Sequence, residues 1–344
     1  MMKKLFALSF AVLLLVGILL TGCTTNTKSN SEKKENEEKK TSADYPTRQI
    51  ELVVPFAAGG GVDLAARSVA DYLSQEWGQP IVVTNKPGGG GIIGAQYALK
   101  EANPDGYTVL ANNVSTTTMY EAGTTKPVVS NMENKFAARI AAGTPAYAVK
   151  ADAEWDTFEE FSEWVKKNPE KLTWASVGPA GFSSFVAAQW FESLGIDFNK
   201  TQMVSSEGTS DSAAKLAGGH VVLAIHTVGE LAPLVEAGKI KLLAVQSPEQ
   251  SPLFPDVPTT QEAGFDGLTI KWWTGLSFPA DTPDEIIQKW EKAVEKMEKD
   301  ETFLQQLEKI KLDPAYLNSD DFTKEVEKET KELTKLAEDT GIRK

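Results

Sequence analysis

The chain is short of the residues that most catalytic chemistry uses. It has one cysteine, Cys23, and two histidines, His220 and His226, in 344 residues. A single cysteine excludes an internal disulfide, and two histidines without a second clustered ligand give no metal-binding spacing. Arginine occurs only at Arg48, Arg67, Arg139 and Arg343, so no guanidinium cluster advertises a clamp for anions. The net charge of −13 argues against a nucleic-acid surface, which needs massed Lys and Arg. No G-x-S-x-G elbow, H-E-x-x-H helix or G-x-x-x-x-G-K-[ST] loop occurs. Enzymatic activity, a metal and a cofactor are therefore not expected.

What the chain does have is glycine in two concentrated turns. Val53-Val54-Pro55-Phe56-Ala57-Ala58-Gly59-Gly60-Gly61-Val62-Asp63 follows an apolar run, as does Asn85-Lys86-Pro87-Gly88-Gly89-Gly90-Gly91-Ile92-Ile93-Gly94. Each opens into residues with helical spacing, 62–77 and 92–102. A glycine turn between strand and helix leaves backbone N–H groups bare where the helix dipole favours an anion. Two such turns from neighbouring parallel strands would frame one cradle at the carboxyl edge of a sheet.

Gly89-Gly90-Gly91-Ile92-Ile93-Gly94 also satisfies G-x-G-x-x-G. It lies in the second βα turn, however, and four consecutive glycines satisfy many patterns, so a dinucleotide site is disfavoured. Asp63, in the first turn of its helix, suits capping of exposed N–H groups, and Arg67 one turn later suits an ion pair with it.

The N-terminus carries an export signal. Lys3-Lys4 precede an apolar stretch, Leu5 to Leu20, too short and wrongly flanked for a stable membrane span. It ends in Leu20-Thr21-Gly22-Cys23, which resembles the lipobox of bacterial lipoproteins. On that resemblance residues 1–22 are a signal peptide and Cys23 is the lipidated first residue of the mature protein. The alternative is a plain signal peptide with a chance cysteine. Residues 23–44, rich in Thr, Asn, Ser, Lys and Glu, cannot offset ordering entropy and read as a disordered tether.

From Arg48 strands and helices alternate. Strand 50–55, helix 62–77, strand 81–84, helix 92–102 and strand 107–111 form a βαβαβ block with a parallel sheet. Residues 112–130 are polar and irregular; Asn112, Asn113, Ser115, Thr116, Thr117 and Thr118 sit just past a strand end, either as an ordinary loop or as ligand-facing groups. A second alternating block follows from 172 to 245, with strands at 172–176, 202–205, 221–225 and 240–245. An extended stretch at 268–278 and three amphipathic segments close the chain. His220, after Gly218-Gly219, reads as a turn residue, while His226 ends a strand and is placed to face a ligand or to be structural. Two blocks suggest two lobes with a binding cleft between them.

The order of these motifs resembles the tripartite tricarboxylate transporter solute-binding receptors, the Bug or TctC-like family. The resemblance is carried by Val53-Val54-Pro55-Phe56, Gly59-Gly60 and Asp63, by Gly78-Gln79-Pro80-Ile81-Val82-Val83 and by Asn85 to Gly91. Pro104-Asp105-Gly106-Tyr107, Leu216-Ala217-Gly218-Gly219-His220-Val221, Ala237 to Val245 and Phe254-Pro255-Asp256-Val257-Pro258-Thr259 extend it to the C-terminal helices. It implies an α/β, two-lobed periplasmic-binding-protein-like fold of type II. Each lobe would be a mainly parallel sheet flanked by helices, with the ligand in the interlobe cleft. Lobe 1 would comprise 45–146 plus 247–344 and lobe 2 residues 147–246.

By position, the family's ligand contacts fall on Phe56, Ala57, Ala58 and Gly60 in the first turn and Gly90 and Gly91 in the second. Ser115 and Thr116 follow the third strand, and Ser176, Ser183 and Ser184 come from the second lobe, with His226 where many relatives carry an acid. The implied protein is a monomeric, extracytoplasmic, membrane-anchored receptor. It would capture a small organic carboxylate and deliver it to transporter membrane subunits. An exported hydrolase or nucleotide-dependent oxidoreductase using the same cleft is the alternative, disfavoured by the absent base–nucleophile pair.

Overall fold

The computed structural model describes residues 44–343, of which 45–343 fall in one compact unit. The expected signal peptide, Cys23 and nearly all of the tether fall on residues 1–43 and lie outside the described residues. Among the described residues no helix is long and apolar enough to cross a membrane.

The first βαβαβ block forms as the glycine turns require. Strand β1 (Ile50–Val54) runs into helix α1 (Gly61–Trp77), then β2 (Ile81–Asn85), the short helix α2 (Ile92–Gln96) and β3 (Thr108–Asn113). β1 pairs in parallel with β2 and β3 along its two edges, and with helices packed on the sheet Leu52, Val53 and Val54 are fully buried. The helix expected over 92–102 is only partly regular: its second half, Tyr97–Glu101, is a π-helical turn. The polar segment after β3 is not a loose loop. Ser115–Met119 is another π-helical turn, followed by α3 (Tyr120–Gly123), and both are largely buried.

The apolar stretch 136–149 contains two strands. β4 (Asn134–Gly143) belongs to the first sheet and β5 (Pro145–Lys150) to the second, so Thr144 alone separates them. Helix α4 (Phe158–Lys167), β6 (Thr173–Ser176), α5 (Phe182–Leu194), β7 (Gln202–Ser205), α6 (Thr209–Ala217), β8 (Leu223–Thr227), α7 (Val228–Glu236) and β9 (Ile240–Val245) complete the second block. The chain then returns as β10 (Trp272–Pro279), α8 (Asp284–Met297), α9 (Glu301–Lys309), β11 (Asp313–Leu317) and α10 (Ser319–Asp339).

The first sheet has the order β11-β4-β10-β3-β1-β2 and the second β7-β6-β8-β5-β9. Both are mixed. β10 runs antiparallel to β3 and β4, and β5 antiparallel to β8 and β9, whereas β1, β2 and β3, like β6, β7 and β8, are mutually parallel. The mainly parallel character expected from the sequence is thus interrupted in each sheet by a strand next to a crossover between sheets, and in the first sheet also by the edge strand β11, antiparallel to β4. Aromatic residues fill both halves: Tyr45, Trp77, Phe278 and Trp290 pack behind the first sheet, and Tyr147, Phe158, Phe161 and Trp190 behind the second. Such pairs each contribute about 0.5–1.5 kcal/mol beyond their buried area.

Two acids behind the first sheet make stability pH-dependent. Burial pushes Glu298 up to about 8 although the Arg139 charge pulls the other way, and its Oε1 has no hydrogen-bond partner. Burial likewise raises Glu329 to about 7 against a 2.8 Å hydrogen bond from Trp273 Nε1. An unfolded Glu titrates near about 4.3. Above that pH the folded chain binds more protons than the unfolded one, so this contribution is full below it and is lost as pH rises through 7 to 8. The expected result is that a Glu298→Gln, Glu329→Gln double variant gains Tm relative to wild type between pH 5 and pH 8. A parallel pair of melting curves against pH would contradict the assignment.

Candidate functional site

The site is built from helix starts. Among the described residues eight helices run nine residues or longer, and they divide by whether the N-cap side chain meets the exposed N–H groups. Those beginning at Phe158, Val228, Glu301 and Ser319 are capped by Thr157, Thr227, Asp300 and Asn318. Four have no side-chain cap: α8, with Pro283 at the N-cap and no part in the cavity described next, and the three beginning at Gly61, Phe182 and Thr209, which have glycine there (Gly60, Gly181 and Gly208). Starts of these three uncapped helices line one cavity of about 40 Å³ between the two sheets. α1 comes from the first sheet, α5 and α6 from the second, so their positive ends meet across the cleft. Helix N-termini of this kind favour a negative charge by about 0.3–1 kcal/mol each at exposed sites, and by more when partly buried.

The cleft is drawn together by hydrogen bonds between the sheets' elements. The Gly61 N–H donates to Glu230 Oε1 at 2.8 Å, and the Phe182 N–H donates to Ser115 Oγ at 3.1 Å. Glu230 thus serves two helices: it completes the capping box of α7 with Thr227 and occupies one amide of α1. Asp63 occupies another amide of the first turn, accepting from the Gly59 N–H at 2.9 Å. Arg67 binds Asp63 through Nε and Nη2, at 3.0 and 2.9 Å, which gives the ion pair expected from the spacing. Burial would raise the Asp63 carboxyl, but hydrogen bonds from Arg67, Gly59 and Asn85 outweigh it and hold it below its usual range. Asp63 therefore acts as scaffold. With Gly59 and Gly61 engaged, the cavity-lining amide of Ala57 remains for a ligand.

His226 sits inside β8, lines the same cavity and is 6% exposed. Its Nδ1 lies 3.1 Å from Thr209 Oγ1, and its Nε2 is buried without a partner. Burial lowers its pKa against the opposing charge of Glu230, which keeps the ring neutral.

The second glycine turn lies next door. Gly88–Gly91 line a cavity of about 550 Å³ with Tyr120, Ser205 and Glu207, and this space shares Phe56, Ser115 and Val177 with the smaller one. Gly91 has φ +98°, and a Cβ there would meet Thr116 Cγ2 at 2.6 Å and the Phe56 ring at 3.0 Å. The turn is therefore packed flush onto Thr116 and onto Phe56, which lines both cavities.

The structure brings Phe56, Ala57, Gly60, Ser115, Ser183 and His226 to the smaller cavity and Gly90 and Gly91 to the larger. Ala58, Thr116, Ser176 and Ser184 line neither. Thr116 Oγ1 is held by Asn113, and the Ser184 hydroxyl lies 2.6 Å from the Gly178 carbonyl and 2.9 Å from Ser176 Oγ. These serines shape the Val177–Gly178 loop. The Ser183 hydroxyl also points away, donating to the Ile225 carbonyl at 2.7 Å. Not foreseen were Thr209, Glu230 and Trp272, which also line the cavity. Gly208-Thr209 had a readable signal, a third glycine before a helix. Trp272 packs on Gly61, where a Cβ would meet its ring at 3.2 Å.

A family model described as tripartite tricarboxylate transporter family receptor matches residues 65–342. The UPF0065 protein in the gbd 5' region of Cupriavidus necator is 32% identical over 301 residues, 87% of this chain and 90% of that protein. The solved structure of MatC from Rhodopseudomonas palustris with bound malate superposes with a TM-score of 0.78 at 25% identity. It covers 85% of this chain and 100% of that one. A second R. palustris protein, solved with adipate, gives a TM-score of 0.80 at 26% identity over 86% and 98% of the two chains.

Proposed function

We propose a function from one premise: the chain belongs to the tripartite tricarboxylate transporter receptor family. It is a solute-binding receptor of the extracytoplasmic kind and not an enzyme. In our reading it captures a small organic carboxylate in the interlobe cleft and hands it, as a monomer, to transporter membrane subunits. The observation that carries this reading is the convergence of three uncapped helix N-termini on one cavity. A carboxylate satisfies amides there without needing an arginine, and none lines the cavity. Malate and adipate in the related structures support the same ligand class.

The ligand's carboxylate lies at the smaller cavity, near Ala57, Gly60 and Ser183, and its remainder extends past Phe56 and Val177 toward Gly90. About 40 Å³ has room for only a few waters, so entry needs the lobes to part. The bound ligand then favours the closed arrangement in proportion to its extra contacts there. Lobe 1 comprises 45–146 and 247–344, and lobe 2 residues 147–246. Cys23 carries the lipid that holds the receptor on the outer face of the cell membrane, and fractionation of a Cys23→Ala variant, expected in the soluble fraction, tests the anchor.

Thermal unfolding against mono-, di- and tricarboxylates tests the receptor reading. A ligand at about 100 times its Kd stabilises by about 2.7 kcal/mol, a readable rise in Tm. Absence of any shift, after copurified ligand has been stripped by unfolding and refolding, would count against a carboxylate.

A further inference from the structure

We propose that the ligand presents a hydrogen-bond donor to Nε2 of His226, so that the solute is a carboxylate that also carries an ammonium or hydroxyl group. This rests on the receptor reading above and narrows its substrate class.

The protons around Glu230 fix the tautomer of His226. Its Oε1 accepts from the Gly61 N–H at 2.8 Å and lies 2.7 Å from Thr209 Oγ1. Its Oε2 accepts from the Thr227 N–H at 3.2 Å and from Thr227 Oγ1 at 2.9 Å. An ionised carboxylate offers only acceptors, and a backbone amide points at each of its oxygens. Thr209 has one hydroxyl proton, and Glu230 takes it. The 3.1 Å contact between Thr209 Oγ1 and His226 Nδ1 must then run from the ring N–H to the hydroxyl. The network therefore assigns the tautomer with hydrogen on Nδ1 and a lone pair on Nε2.

That lone pair is buried without a partner, on a residue that lines the cavity. A methylene placed against it leaves it unsatisfied, and a second carboxylate oxygen sets lone pair against lone pair. An O–H or N–H from the ligand satisfies it. Charge ranks the two donors. Asp63 is paired with Arg67, whereas no Lys or Arg among the described residues pairs with Glu230, and none lines the cavity. An ammonium group offsets that charge; a hydroxyl does not. His226 and Thr209 are thus specificity-determining residues, and Glu230 positions both.

Calorimetric titration of the full chain with two matched series tests this: succinate, malate and aspartate, and propionate, lactate and alanine. A donor-bearing member should bind at least about tenfold more tightly than the donor-free acid of its series. In His226→Phe that preference should fall to about twofold or less, with the donor-free acid still bound. Thr209→Val, which frees Nδ1 to give up its hydrogen, should erode the preference without removing the ring. Equal affinities within each series, or a preference that survives His226→Phe, would overturn the proposal while leaving the receptor reading intact. Binding by no member of either series would overturn both.

Discussion

Gly90→Val should abolish ligand-induced stabilisation while leaving a folded protein. Gly90 has φ +69°, and a Cβ there would sit 3.3 Å from the carbonyl oxygen of Val177, which belongs to the opposite side of the cleft. The first methyl is tight, and a branched side chain must push Val177 away, so the lobes cannot close on a ligand. Left-handed backbone costs a non-glycine residue about 1–2 kcal/mol, which lowers the unliganded Tm modestly. Loss of closure removes every contact from the second lobe, and affinity should fall at least about 100-fold, or about 2.7 kcal/mol. Gly78→Val supplies the control. It has φ +62° and nothing within 4 Å, so it suffers the same backbone strain far from the cleft. The control should melt early and bind normally; a Gly90→Val protein that binds as tightly as Gly78→Val would remove the second turn from the site.

Glu230→Ala should produce the second large effect, this time on stability. The substitution removes one half of the α7 capping box and the acceptor of the Gly61 N–H, and it strips Thr209 of its proton acceptor. Each lost cap costs about 1 kcal/mol, and partly buried donors left unmet add to that. A loss of roughly 2–4 kcal/mol is expected. At about 2–4 °C per kcal/mol for a domain of around this size, the unliganded Tm should fall by roughly 5–15 °C. Glu230→Gln keeps an oxygen for Gly61 but turns an NH₂ toward another donor, so it should fall between. A Glu230→Ala protein melting with wild type would show that the cross-cleft bond carries no stability.

How much of this was legible follows from range in sequence. The β1–α1–β2 block could be read because its apolar runs end in glycine, and the Asp63–Arg67 pair because helices bring i and i+4 together. Glu230 was half legible. Its capping box with Thr227 is a local pattern, but its bond to Gly61 joins residues 169 apart and leaves no trace in spacing. The division of 134–150 into β4 and β5 was hidden because Gly143, Thr144 and Pro145 interrupt an apolar run too briefly to suggest a change of sheet. β11 was missed because a five-residue edge strand with Pro314 and no fully buried side chain shows neither alternation nor an apolar run. Family position supplied Ser176 and Ser184, and the structure turns both hydroxyls onto the Gly178 carbonyl instead of the cavity. Which atom of a residue faces a site is decided by packing that no spacing rule contains.

Amide chemical-shift mapping of ¹⁵N-labelled protein, titrated with the carboxylate that raises Tm most, reports directly where the solute sits. A groove of about 1020 Å³, lined by residues such as Phe265, Lys271, Lys324 and Leu336, offers an alternative location on the same molecule. The largest saturable shifts should fall on Ala57, Gly60, Gly90, Ser183 and Thr209, on both sides of the cleft at once. Shifts confined to the groove around Lys271 and Lys324, with the glycine turns unmoved, would contradict binding in the cleft.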